Sequence, residues 1–171
     1  MASDSQHIVL VGFMGTGKTT VGRLLADRTG KPFVDLDEVI VETAGMSIPA
    51  LFEARGESGF REIERSVVVQ EAEKPGQVIS CGGGIVKNPA NLASLAESGR
   101  IVCLTATPET ILERVGADTN RPLLAGPDRL ARIRELLAER APDYARVPLQ
   151  VPTDDRSPEQ IADAVLIAIE S

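Results

Sequence analysis

Tryptophan is absent from the chain, tyrosine occurs once, and aromatic residues make up 3% of the 171 positions. Any core must therefore be aliphatic, and a hydrophobic content of 43% with a mean hydropathy of +0.01 is enough for a soluble chain to close around one core. Histidine also occurs once, at His7. That excludes a histidine-based triad unless His7, entering the first strand, is itself the base, so a carboxylate is the expected catalytic base. The two cysteines, Cys81 and Cys103, lack the close pairing of a zinc knuckle or a redox pair and are expected to be reduced, half-buried thiols. No apolar run is long enough to span a bilayer, and the polar start Met1–His7 has neither the charged region nor the apolar stretch of a signal peptide; the expected location is the cytoplasm. Basic residues are outnumbered 18 to 25, giving a net charge of -7 and a pI near 4.8. Such a chain repels a phosphate backbone, so nucleic acid is not expected as a partner and anion binding should be local.

What is present alternates. Short apolar runs at His7–Val11, Pro32–Asp37, Gln77–Ser80, Arg100–Thr105 and Val147–Val151 read as strands. Between them, helical spacing predicts helices over Lys18–Thr29, Glu38–Ala44, Ser47–Phe52, Gly59–Glu73, Pro89–Glu97 and Pro108–Val115, around Leu130–Leu137, and over Pro158–Ile169. Residues 116–127 lose periodicity and are rich in Gly, Pro, Asp and Asn, which predicts a mobile lid. Strands alternating with helices imply right-handed βαβ units and a parallel sheet covered on both faces, with ligands beyond the carboxyl ends of its strands. With no repeats or linkers, the chain reads as one α/β domain over 1–171.

The segment Gly12-Phe-Met-Gly-Thr-Gly-Lys-Thr19 fits G-x-x-x-x-G-K-[ST] and lies between an apolar strand and a helix. Its backbone N–H groups can cradle phosphate oxygens, Lys18 supplies a cation to the β and γ phosphates, and the Thr19 hydroxyl can ligate magnesium. No N-K-x-D guanine motif occurs, and the fourth strand ends without the acidic pair of ATPase motors. A small-molecule kinase is favoured over a switch or a motor.

Asp35 and Asp37 end the predicted second strand two residues apart, so their side chains are expected on opposite faces. One can reach magnesium through water while the other takes the acceptor hydroxyl proton, or both simply cap the next helix. Arg61 falls off the apolar stripe of its helix, consistent with a solvated side chain. Gly82, Gly83 and Gly84 follow the third strand and suit close backbone approach to a ligand. Arg121 lies in the lid segment and Arg140 follows an amphipathic helix, but fourteen of the 18 basic residues are arginine, so spacing alone selects none of them.

Taken in order, GxxGxGKT, DLD, FREIE, the GGG loop, RPLLAG and ERAPDY resemble the shikimate kinase family along nearly the whole chain. The resemblance implies a P-loop NTPase fold with a five-stranded parallel sheet, substrate-binding helices over about 38–73, and a lid over about 116–127. It implies ATP and Mg2+ as cofactors and the 3-hydroxyl of shikimate as acceptor. By motif, Gly15, Thr16, Gly17, Lys18, Thr19 and Thr20 match the ATP phosphate loop, with Thr19 at magnesium and Asp35 reaching it through water. Asp37 matches the residue that holds the shikimate hydroxyls and acts as base. Arg61, Gly82, Gly83, Gly84 and Arg140 match the substrate set, where two guanidinium forks suit a carboxylate. Arg121 matches the lid arginine on the ATP phosphates, and Arg114, Arg156 and Pro158 match the adenine edge, although Pro152–Arg156 departs from the family's usual sequence there. The family expectation is a monomer. Two rivals remain: a gluconate or nucleoside monophosphate kinase of the same fold, and a nucleotide-dependent binding module without turnover.

Overall fold

The computed structural model describes residues 4–116 and 127–171. The chain starts with β1 (His7–Gly12), whose six residues are all buried, and passes through the glycine loop into α1 (Lys18–Thr29). Next come β2 (Phe33–Asp35), α2 (Leu36–Ala44) and α3 (Ile48–Ala72), then β3 (Val78–Ser80) and a single 3-10 turn at Ile85–Lys87. They are followed by α4 (Pro89–Ser98), β4 (Gly99–Thr105), α5 (Pro108–Val115), α6 (Arg129–Tyr144), β5 (Leu149–Pro152) and α7 (Pro158–Glu170). Proline or a hydroxyl cap marks several helix starts where the sequence predicted them. Thr107 caps α5, and Ser157 with Gln160 forms a capping box on α7.

The five strands are ordered β2-β3-β1-β4-β5 and every pair is parallel. Alternation along the strands divides the apolar side chains between two cores. Ile8, Leu10, Val78, Val102 and Leu104 pack with Val21 and Leu25 of α1 and Ile161 and Val165 of α7. Val9, Val11, Ile79 and Cys103 face the other way, onto Val67 and Val68 of α3, Leu95 of α4, Ile111 of α5 and Ile133 of α6. Helices therefore cover both faces, as the sequence predicted.

The order of the strands decides where a ligand can sit. β1 and β3 are neighbours, yet the chain leaves β1 toward α1 on one face and leaves β3 toward α4 on the other. Two loops thus part at the carboxyl ends of adjacent strands and open a crevice between them. The glycine loop after β1 and the Gly82–Gly84 loop after β3 form its two walls, joined at the base where the Cys81 N–H donates to the Leu10 carbonyl at 3.0 Å.

Three expectations need correction. β2 ends at Asp35 rather than Asp37, because the Asp35 side chain caps the helix that begins at Leu36. Both cysteines are free but fully buried, at 2% and 1% exposure, since each alternates into the sheet's apolar side. The two helices predicted over 47–52 and 59–73 meet in α3, which is broken only at Gly56 (φ 69°, ψ -177°). The lid expected over 116–127 falls, apart from its end residues, outside the described residues.

Gly56 occupies a backbone region essentially reserved for glycine, which lets residues 48–55 turn away from the axis of 57–72. Gly56→Ala should lower stability by about 1–3 kcal/mol although nothing lies within 4 Å of the added methyl, and thermal melting of the variant checks this.

Candidate active site

The first wall is the phosphate loop. Lys18 folds back over it, its Nζ donating to the carbonyls of Gly12 at 2.7 Å and Phe13 at 3.0 Å. Thr16 is buried and braces the loop from inside, its hydroxyl donating to the Phe13 carbonyl at 2.7 Å. Gly15, Gly17, Lys18, Thr19 and Thr20 line a cavity of about 250 Å³. The start of α1 points into it, so backbone donors and the helix dipole favour an anion there.

Asp35, Asp37, Ser80, Cys81, Gly82 and Gly83 complete the same cavity. The two aspartates therefore share one cavity rather than lying on opposite faces of a strand. Asp35 Oδ1 accepts the Asp37 N–H at 2.9 Å, which starts α2, and helical rotation then brings the Asp37 side chain round to the cavity. Burial is the main force pushing the Asp37 carboxyl up to about 6, helped by the negative charges of Asp35 and Glu64 and opposed by Lys18 and Arg61. Burial likewise drives the Cys81 thiol far up and the Cys103 thiol to about 11, so both are protonated and inert at neutral pH.

The second wall is Gly82–Gly84, and each glycine abuts a different charged side chain. A Cβ on Gly82 would lie 2.8 Å from Asp37 Oδ1, and one on Gly83 would lie 3.0 Å from Arg140 Nη1. One on Gly84 would overlap the Arg61 guanidinium. Arg61 is not simply solvated, as its place on the helix suggested. Its Nη1 pairs with the buried Glu64 at 2.8 Å, Glu57 lies 3.6 Å from its Nε, and that Nε is buried without a hydrogen-bond partner. Arg140 is 7% exposed, sits 5.6 Å from the centre of the Phe13 ring, and has no carboxylate paired with it among the described residues. A buried guanidinium without a counter-ion is costly unless an anion joins it. Arg61 and Arg140 do not line the cavity of the phosphate loop but border it through the glycine loop.

Arg114 ties the far side together. Its guanidinium donates to the Gly15 carbonyl at 3.2 Å, to Thr153 Oγ1 at 2.8 Å and to the Thr153 carbonyl at 2.8 Å, linking the phosphate loop to the segment between β5 and α7. Arg156 follows in that segment and is exposed. Arg121 lies outside the described residues. Sequence reasoning missed Glu64 and Thr153. The three-residue spacing of Arg61 and Glu64 on one helix was a usable signal, whereas nothing local marks Thr153.

A parallel 2-3-1-4-5 sheet with a phosphate loop after its central strand, facing a half-buried carboxylate, defines a P-loop NTPase fold carrying a kinase site. The family model for shikimate kinase matches residues 14–170. The shikimate kinase of Caldanaerobacter subterraneus subsp. tengcongensis is 42% identical over 95% of this chain and 95% of its own, and that of Thermodesulfovibrio yellowstonii is 44% identical over 94% and 93%. Among solved structures, the shikimate kinase from Acinetobacter baumannii in complex with shikimate superposes with a TM-score of 0.90 at 37% identity, covering 96% of this chain and 93% of that one. The chain belongs to the shikimate kinase family. A gluconokinase from Sinorhizobium meliloti aligns over 98% of this chain and 93% of its own with a TM-score of 0.65 but only 16% identity, a likeness of fold alone.

The raised pKa of Asp37 has two readable consequences. The folded state favours the protonated carboxyl, so any stability this group contributes is present below the unfolded value of about 4 and is lost as pH rises through about 6. Asp37→Asn should therefore stabilise the ligand-free protein at pH 8 by about 1–3 kcal/mol and leave it nearly unchanged at pH 3.5, as thermal melts at the two pH values would show. In the unmodified chain, kcat/KM should fall on the acid side with a midpoint near 6.

Proposed function

We propose that the chain transfers the γ-phosphoryl group of ATP to the 3-hydroxyl of shikimate, giving shikimate 3-phosphate and ADP, with Asp37 as the base. The observation that carries this reading is the set of three consecutive glycines against which Asp37, Arg140 and Arg61 pack, opposite the phosphate loop. A carboxylate and two guanidiniums suit an acceptor that is both a polyol and a carboxylate, a description that shikimate and gluconate share, and membership of the shikimate kinase family favours shikimate of the two.

Asp37, ionised at neutral pH yet more basic than an ordinary aspartate, takes the hydroxyl proton as that oxygen bonds to the γ phosphorus. The bond to the β–γ bridging oxygen breaks in line, and the charge gathering on the leaving oxygens is met by Lys18 and the loop N–H groups. Arg121 would add a further cation from the lid. Arg114, with Arg156 and Pro158, would flank the adenine.

The donors also suit Mg2+. The exposed Thr19 hydroxyl and the Asp35 carboxylate border the cavity, and no cluster of three or more His, Cys, Asp or Glu that would form a full protein cage occurs among the described residues. A cation that keeps most of its waters and takes its other ligands from phosphate matches that sparse set. Thr19 would hold it directly and Asp35 through water, and it would neutralise charge on the β and γ oxygens.

Small-molecule binding in a cavity of this size needs no second copy, so we read the chain as a monomeric kinase unit over 1–171. No described helix is long and apolar enough to cross a membrane. With a net charge of -7, a cytoplasmic enzyme without a nucleic-acid partner is the consistent reading.

A coupled assay of ADP release compares shikimate, gluconate, a nucleoside monophosphate and no acceptor. Only shikimate should support rapid release; equal release without acceptor, or none with any, would favour a binding module instead. Lys18→Ala should cut turnover far more than stability, and Asp37→Asn should cost on the order of 10²- to 10⁴-fold in kcat while shikimate still binds.

A further inference from the structure

Tyr144, the only tyrosine of the chain, ends α6 one helical turn after Arg140 and is 8% exposed. Its hydroxyl donates to the Gly83 carbonyl at 2.6 Å, joining positions 61 residues apart in sequence. The phenol also lies close to the Arg140 guanidinium, which partly opposes the burial that pushes its pKa up to about 12. It is therefore a neutral donor at neutral pH. Tyr144 and Arg140 thus hold Gly83 together, the first at its carbonyl and the second against its α-carbon.

The bond has a consequence for the next peptide group. All peptide bonds described are trans, so the Gly83 C=O and the Gly84 N–H point in opposite directions. Drawing the carbonyl toward α6 turns the Gly84 N–H away from α6, and among the described residues no group accepts that N–H. The carbonyl of Gly84 is already used, accepting from the Lys87 N–H at 3.1 Å. The loop therefore has a fixed orientation and, among the described residues, a donor without an acceptor on the peptide that joins the glycine facing Arg140 to the glycine facing Arg61.

We infer that Tyr144 is a positioning residue for the acceptor: by holding the Gly83 carbonyl it presents the Gly84 N–H to the acceptor's carboxylate, beside the two arginines. This rests on reading Arg140 and the glycine loop as the carboxylate end of the acceptor site. Without the phenol the Gly83–Gly84 peptide is free to rotate, and the donor is no longer aligned when the acceptor arrives. The chemistry at Asp37 lies at the opposite end of the loop, against Gly82, so the loss falls on acceptor binding rather than on the transfer step.

The test is steady-state kinetics of Tyr144→Phe beside Arg140→Ala, with shikimate, its neutral carboxamide analogue and ATP varied in turn. Tyr144→Phe should raise the KM for shikimate about three- to tenfold, the range expected for one lost hydrogen bond, and narrow the preference for carboxylate over carboxamide. The KM for ATP and kcat should stay within about twofold. If Tyr144→Phe raises both KM values alike in step with a lower melting temperature, the bond is structural only and the inference is wrong. If it leaves the shikimate KM unchanged while Arg140→Ala raises it, the acceptor site stands and Tyr144 has no part in it. If Arg140→Ala changes neither shikimate KM nor the preference, the reading of the acceptor site fails and this inference with it. A measurement on the unmodified protein guards against misfolding of the variant: with ¹⁵N-glycine labelling, the Gly84 amide resonance should shift on adding shikimate and not on adding ATP alone, and an unmoved resonance overturns the proposal.

Discussion

The site depends on the absence of side chains at Gly82, Gly83 and Gly84. Three charged groups from three helices, Asp37 of α2, Arg61 of α3 and Arg140 of α6, come within contact of one another's neighbours only because the loop between them is bare backbone. A single methyl on any of these glycines would meet a charged side chain at 3.0 Å or less. The loop is placed in turn by β3, whose pairing with β1 sets it opposite the phosphate loop. The two walls of the cavity thus follow the ends of adjacent strands, and their separation is a property of the sheet.

The charges gathered there are not balanced evenly. Burial raises the Asp37 carboxyl, with the negative charges of Asp35 and Glu64 adding to it, and burial also raises Glu64, while Arg61 is committed to Glu64 and Lys18 donates to the carbonyls of its own loop. For Asp37, burial and like charge outweigh the cations, which leaves it more basic than an ordinary aspartate and suits it to accept a proton. Arg140 presents the opposite imbalance, a buried cation without a carboxylate partner among the described residues.

The far side of the phosphate loop is braced differently, by hydrogen bonds between single charged side chains and neutral partners. Thr153 is fully buried, donates to the Thr105 carbonyl at 2.8 Å and accepts from Arg114, while the Asp154 carboxylate receives both the N–H and the hydroxyl of Thr107. The segment carrying Arg156 is therefore fixed to β4 and α5 even though its sequence departs from the family's usual pattern.

Much of this was legible in the chain itself. The phosphate loop is a local object: its glycines, lysine and threonine are contiguous, and the flanking strand and helix follow from period-two and period-3.6 patterns that need no distant partner. The alternation of those patterns also gave the parallel sheet with helices on both faces. Asp37 was found as a residue but misplaced on a strand, because a two-residue spacing reads the same until the Asp35 cap is known to begin a helix. Arg61 and Arg140 could be singled out only by family resemblance, since fourteen arginines carry no mark of which is buried. Tertiary structure alone decided that each of those side chains meets its own glycine, that Glu64 holds one guanidinium while the other has no carboxylate partner among the described residues, and that Tyr144 reaches back 61 residues to the Gly83 carbonyl. Local patterns report which face of a strand or helix is apolar, whereas the pairing of charges depends on strand order, which brings together residues whose separation in sequence carries no periodic signal.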